Sequence, residues 1–301
     1  YMGYASNTYT NIGEANNRGI EMNLEWRDKT ESGFEYNVGV NMSTIRNRMT
    51  KLNGGTPISD GPFRNGSMYL TYTNEGMPIG AFWGYKTDGL IQTQEQLNAV
   101  KRADFQPNAE LGDVLFVDTN GDGKLDSSDR CMIGNPIPDI IYGINMGMAW
   151  KGFDLNLQFG GTIGNQIFNA MRYYTYFPND ITNKDRALMN YWTPNNTNTD
   201  IPRLTATDVN DNDRFSDMYV ENGTYFRLRN AQLGYTLPAS LTQRIKLQKV
   251  RFYVSGQNLF TISSYSGMDP EVGQSSSLSR GIDYGIYPQN ISFTGGINVT
   301  F

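Results

Sequence analysis

The 301-residue sequence contains no histidine. That absence excludes Ser-His-Asp and Cys-His nucleophilic catalysis, and any zinc site built on imidazole. A single cysteine, Cys131, excludes an internal disulfide. Hydrophobic residues make up only 38% and the mean hydropathy is -0.51. No run approaches the roughly 18 apolar residues that a membrane helix needs. Basic residues are outnumbered, 25 to 30, for a net charge of -5, which argues against nucleic acid as a partner. The sequence begins at Tyr1 without a signal-peptide pattern, and the expectation is that it is part of a longer polypeptide.

Aromatic residues and glycine are plentiful: 19 Tyr, 15 Phe, 4 Trp and 32 Gly. The last eleven residues alternate. Ile291, Phe293, Gly295, Ile297, Val299 and Phe301 interleave with Ser292, Thr294, Gly296, Asn298 and Thr300. This period places one set on each face of a strand. Neither charge nor Pro blunts its edge, as a soluble edge strand would require. The pattern suits a strand between lipid and a wet lumen, with Phe301 as the assembly signal of a barrel.

The same alternation recurs at 20–26, 34–42, 142–150, 153–159 and 250–254, and more weakly at 67–73, 81–90 and 225–235. In the last, the apolar phase changes between Leu228 and Leu233, which predicts a bulge. Connections alternate between short and long. Lys151-Gly152 is a two-residue turn, whereas 47–66, 91–139, 163–224 and 261–290 are long and polar. Short turns on one rim and long loops on the other describe an all-β transmembrane barrel, here about nine antiparallel strands of a larger one. A soluble sandwich has no reason to keep such parity.

One motif carries chemistry. Residues 118–129 match a calcium loop, with Asp118, Asn120, Asp122, Asp126 and Asp129 at its oxygen positions and Lys124 giving a backbone carbonyl. The twelfth position is Asp rather than Glu, so its bidentate closure is shorter in reach. No helical pattern precedes the loop, which points to pinning a surface loop with Ca2+ rather than to sensing. Tyr173, Tyr174, Tyr176, Phe177 and Trp192 fall in the longest connection. They either stack on a substrate or pack the loop against itself. The acid pairs Asp211/Asp213 and Asp269/Glu271 are close in sequence, which is no evidence of a glycosidase couple.

Several segments taken together resemble a known family. They are Asn11-Ile12-Gly13-Glu14 with Asn17-Arg18-Gly19-Ile20-Glu21, Gly76-Met77-Pro78-Ile79-Gly80, Gly112-Asp113 leading into the acidic loop, and Gly134-Asn135-Pro136-Ile137-Pro138-Asp139. Tyr191-Trp192-Thr193-Pro194, Leu228-Arg229-Asn230 with Leu233-Gly234-Tyr235, Ser255-Gly256-Gln257-Asn258-Leu259-Phe260 and Met268-Asp269-Pro270-Glu271 follow in order. The sequence resembles the carboxy-terminal part of SusC/RagA-like TonB-linked outer-membrane transporters of Bacteroidetes-type bacteria. The resemblance implies one partial barrel domain over 1–301, with the plug and earlier strands of a 22-stranded barrel elsewhere. It also implies an integral outer-membrane location, a SusD-like surface lipoprotein as lid, TonB as the energy source, and the barrel assembly machinery. The cargo would be an oligosaccharide or a peptide, and the chemistry would be import rather than catalysis. The competing reading from a different class is a secreted, calcium-stabilised, carbohydrate-binding β-sandwich.

Overall fold

The computed structural model describes residues 13–176, 183–273 and 276–301. Its framework is a seven-stranded antiparallel sheet, whose strands we number β1 (Glu21–Lys29), β2 (Glu35–Thr44), β3 (Ile140–Trp150), β4 (Phe153–Ile163), β5 (Tyr225–Thr236), β6 (Lys249–Ser263) and β7 (Ser292–Thr300). They pair in sequence order, so the sheet is a simple meander. Beyond the sheet, Gly13–Arg18 pairs with Arg46–Leu52 and prolongs the β1–β2 ribbon.

Register carries the alternation from strand to strand. Trp26, Val38, Met146, Leu157, Ala231, Gly256 and Phe293 are successive cross-strand partners, and so are Trp150, Phe153, Tyr235, Phe252 and Ile297. One face is therefore apolar throughout. The expected bulge is present: the register shifts between Leu228 and Asn230 against β6, and between Gln158 and Phe159 against β5.

Most of that apolar face is uncovered among the described residues, Leu228 and Val250 being its buried side chains. Met22, Leu24, Trp26, Phe153, Leu233, Phe252, Val254, Phe293, Ile297 and Val299 are each at least 39% exposed. Burying a large apolar side chain contributes roughly 1.5–3 kcal/mol. Ten left in water forfeit as much as the roughly 5–15 kcal/mol by which a whole domain is stable. A sandwich would lay a second sheet here, and there is none among the described residues. Aromatic rows bound the band. Phe153 and Tyr235 lie 4.5 Å apart near one end, and Phe159 stacks on Phe226 at 5.2 Å near the other. Eight residues of β3 separate Tyr142 from Trp150, about 26 Å along the strand and about 20 Å across a membrane at a tilt near 40°. No helix among the described residues is long and apolar enough to cross a membrane.

The three long connections fold together into a separate layer. Ile58–Phe63, Met68–Thr73, Ala81–Gly84 and Cys131–Gly134 form a four-stranded sheet. Val220–Asn222, Gln166–Asn169 and Ile282–Asp283 form a three-stranded one. Phe63, Leu70, Phe82, Phe168, Phe215, Tyr219 and Ile282, drawn from all three connections, make one core. The strands expected at 67–73 and 81–90 thus belong to this layer, so nine expected wall strands become seven. Their sequence shows why: Leu70 and Thr71, like Ala81 and Phe82, are buried in succession, because both faces of this small sheet are covered. Removing two neighbouring strands merges long, short and long connections into one, so the alternation of short and long survives.

Arg substituted for Met146, on the apolar face near mid-height of β3, is expected to cost about 2–4 kcal/mol in a reversible unfolding titration in lipid. Arg at its neighbour Asn145, on the opposite face, is expected to be near neutral; equal costs would contradict the face assignment.

Candidate functional site

The inner face is rich in amides. Glu25, Gly39, Asn145, Gln158, Asn230, Gln257 and Ser292 are successive partners across all seven strands. The adjacent row runs Arg27, Asn37, Gly147, Asn156, Gln232, Ser255 and Thr294. Each side-chain amide offers donors and an acceptor without charge. Towards the short-turn end the face becomes ionic. Arg251 donates Nε to Asp154 Oδ1 at 2.9 Å and Nη2 to Oδ2 at 2.5 Å. This pair spans β5 over Gly234, where a Cβ would lie 2.4 Å from Arg251 Nη2. Arg27, Lys29, Glu35, Asn37, Asp154 and Asn156 line a concavity beside it.

At the opposite end an ion-pair latch ties the last long connection to the wall. Arg227 is buried and donates to Asp269 Oδ1 (2.5 Å), Glu271 Oε2 (2.9 Å) and Thr261 Oγ1 (2.8 Å). Arg229 donates to Glu271 and to the Tyr225 hydroxyl, 3.2 and 3.1 Å away. Burial alone would raise the Asp269 pKa. The backbone N–H groups of Gln289 and Glu271, with Arg227, outweigh it and hold this carboxyl below its usual range. Asp213 pairs with Arg64 and Asp211 with Arg214, so all four acids of the two sequence-adjacent pairs serve ion pairs.

A second buried network holds the layer. Asn212 accepts from the Val114 N–H at 2.8 Å and Asn210 donates to its carbonyl at 3.3 Å, standing in for a neighbouring strand. Gln106 and Asn210 share a hydrogen bond of 3.1 Å, and Arg203 grips fully buried Asp113 through Nε at 2.6 Å. Reading the sequence missed this network and Arg227. Arg227 had a signal, since it stands in a strand out of phase with its apolar neighbours; its partners, 42 and 44 residues away, had none.

Residues 118–129 form a tight loop closed by side chain to backbone bonds. Asp118 accepts from Gly121 and Gly123, Asn120 from Asp122, Asp122 from Lys124, Asp126 from Ser128, and Asp129 from Thr119 and Asp126. The Gly123 N–H, foremost, holds the Asp118 carboxyl below its ordinary pKa, and the Ser128 hydroxyl does the same for Asp126. Asp129 is fully buried. Among the described residues no three acidic, Cys or His side chains converge as a metal centre. A cation here would rely on Asn120 and the Lys124 carbonyl as well as on the carboxylates.

The aromatic residues part company. Tyr173 lies buried in the first core beside Phe63 at 4.9 Å, and Trp192 in a second core with Leu90, Phe105, Val114 and Phe116. Their faces are taken, so of the two readings open for these residues the structure has them packing, and the substrate-stacking role is corrected for these two. Trp192 lies so close to Gly112 (φ +85) that a Cβ there would meet the ring at 2.2 Å. Tyr174 and Tyr176 are half-buried, the latter under Arg172 at 5.0 Å. Phe177 and the Asn11-Ile12 end of the first motif lie outside the described residues. Phe301 follows β7 and is exposed.

A meander with one lipid-type face, one amide face and a folded loop layer defines part of a large outer-membrane-type β-barrel. No family model matches the sequence. The sequence is 36% identical to the TonB-dependent receptor P3 of Formosa agariphila, over 98% of this chain and 30% of that protein. It is 27% identical to the TonB-dependent receptor SusC of Bacteroides thetaiotaomicron, over 97% of this chain and 27% of that protein. Solved structures of the RagAB peptide transporter match with a TM-score of 0.73 and 23% identity, over 96% of this chain and 29% of theirs. The chain is thus a SusC/RagA-like barrel portion, and it spans about 30% of the length of the first of these relatives.

Arg227→Leu would strand Asp269 without its cation, and removing one partner of a buried pair costs roughly 3–5 kcal/mol. Limited proteolysis between Met268 and Gln289 is expected to accelerate in this variant. Because the folded Asp269 pKa is depressed, its contribution is present above the unfolded carboxyl pKa near 4 and fades only as pH falls below it. Protection that is unaltered by the substitution would refute the latch.

Proposed function

We propose that this chain supplies the carboxy-terminal wall and mouth of a TonB-dependent importer in the bacterial outer membrane. The observation that carries the reading is the array of side-chain amides on the inner face, seven of fourteen positions in its two central rows, beneath a loop layer with its own core. Such a surface exchanges hydrogen bonds with peptide groups or sugar hydroxyls alike and breaks no covalent bond. Relatives named as SusC and as a peptide transporter support import. On this reading a SusD-type lipoprotein closes the mouth, TonB powers entry, and Phe301 is the feature that the barrel assembly machinery engages. Of the four aromatic residues considered for cargo, Tyr174 and Tyr176 are the half-buried ones and keep that role here.

Uptake by cells is the test. Labelled peptide and oligosaccharide mixtures are supplied with and without the proton-motive force. Replacing Asn145, Gln158 and Asn230 together by Ala removes three hydrogen-bonding groups worth about 0.5–1.5 kcal/mol each, so uptake is expected to fall roughly tenfold or more at normal surface levels. Phe301→Ser is expected to lower the surface level itself. Uptake indifferent to both the force and the amides would reject the importer reading.

We also propose that residues 118–129 bind Ca2+, with Asp118, Asn120, Asp122, Asp126, Asp129 and the Lys124 carbonyl as ligands. A cation would offset four carboxylates within twelve residues and fix the path into the strand Cys131–Gly134. Asp122→Ala is expected to release the metal, as measured by elemental analysis of the dialysed protein. An equal calcium content in both proteins would dismiss the site.

A further inference from the structure

The short-turn rim is divided by charge. Residues 236–250, which join β5 to β6, carry Arg244, Lys246 and Lys249 and no acid, in a chain whose net charge is -5. Lys151 forms the neighbouring turn between β3 and β4. All four basic side chains are exposed. The two turns are neighbours because the Thr236 N–H donates to the Gly152 carbonyl at 2.7 Å. Two strand spacings separate their centres, about 10 Å. The nearest acid along this sector, Asp154, is taken by Arg251 on the inner face. Asp28, Glu31 and Glu35 belong to the other short turn, between β1 and β2, where Lys29 pairs with Glu35 at 2.7 Å. Among the described residues no carboxylate forms a salt bridge with Lys151, Arg244 or Lys246, whereas Lys249 acts on Asp154 from the inner face.

Two further observations say what does. The aromatic row Trp150, Phe153, Tyr235 and Phe252 lies on the outer face directly beside these turns. Lys151 Nζ stands over the Trp150 ring, 4.4 Å from its centroid, and Leu241 in the β5–β6 connection is half exposed. A cation resting on an interfacial aromatic ring is at headgroup height. Second, Lys151 (φ 49) and Lys246 (φ 56) occupy left-handed backbone positions, where Gly or Asn is the relaxed choice. Charge is kept at both turns against local conformational preference, as happens where a side chain has a role outside the fold.

We propose that Lys151, Arg244 and Lys246 form a seat for the phosphate of an anionic phospholipid of the inner leaflet. The occupant is a lipid rather than free phosphate because the apolar band begins one residue beyond the charges, where acyl chains continue from the headgroup. The inference rests on the outer-membrane reading and concerns the opposite end of the wall from its mouth.

The intact barrel protein in non-ionic detergent is offered equal amounts of phosphatidylglycerol and phosphatidylcholine, and retained lipid is measured by native mass spectrometry. A basic side chain near an anionic surface contributes about fivefold, so retention of phosphatidylglycerol over phosphatidylcholine is expected to exceed roughly tenfold. The variant K151N/R244Q/K246N is expected to bring the ratio near one. Asn suits both left-handed positions, so an unchanged unfolding midpoint accompanies that loss. Equal retention by the unaltered protein, or an undiminished preference in the variant, overturns the seat and leaves the barrel standing. Displacement of phosphatidylglycerol by inorganic phosphate at matching concentration overturns the lipid assignment. Retention of neither lipid by a protein soluble without detergent would instead overturn the outer-membrane reading.

Discussion

Register is the constraint on which the rest of the structure depends. In hydrocarbon every backbone N–H and C=O must find a partner within the sheet, and a slip of one residue turns every side chain to the wrong solvent. Strand β5 meets this constraint with a defect. Phe226 and Leu228 share one phase, and Ala231, Leu233 and Tyr235 share the other. The shift between Leu228 and Asn230 brings both sets to the outer face. The same shift leaves Arg227 and Arg229 at the inner rim, where they grip Asp269 and Glu271. A single irregularity thus reconciles the lipid-facing pattern and anchors the last long connection.

The molecule is stabilised by two different solvents in two places. Among the described residues nearly all fully buried apolar side chains lie in the loop layer, and only Tyr225, Leu228 and Val250 come from wall strands. The layer folds as a water-soluble protein does, around Phe63, Phe82, Phe168 and Phe215. The wall has no core of its own and relies on lipid against Leu24, Val254 and Phe293. Buried polar groups in the layer follow from this division. Asn210 and Asn212 serve as a strand for Val114, and Arg203 neutralises Asp113. Unpaired, each would cost several kcal/mol; paired, they fix the relative placement of connections more than eighty residues apart in sequence.

What was legible in the sequence is what is periodic. The wall strands, the bulge in β5, the Lys151-Gly152 turn and the alternation of short and long connections all follow from period-two patterning and turn chemistry. Strands at 67–73 and 81–90 read as wall because a small sheet covered on both faces also yields apolar runs. For Tyr173 and Trp192 stacking and packing stayed open because composition does not reveal whether a ring face is free. The Gly112 backbone under Trp192 shows that it is not. The latch between Arg227 and Asp269 was invisible for a different reason: its partners meet only after the 264–291 connection has folded back onto the rim.

The inner face poses a chemical question that its composition answers. A wall meant to select one charged solute would concentrate opposite charge where the solute passes. Here the central rows are Asn145, Gln158, Asn230 and Gln257 beside Asn37, Asn156 and Gln232, while the Asp154–Arg251 pair neutralises itself at the short-turn end. Amides bind through many weak, interchangeable hydrogen bonds, each worth about 0.5–1.5 kcal/mol. A solute gains affinity from their number and pays little to exchange one for the next as it advances. Such a surface holds polymers of repeated polar groups without trapping them, which is the compromise that passage through a lumen demands. On the importer reading, discrimination among cargoes then falls to the loop layer, which is held by its own core and its buried ion pairs.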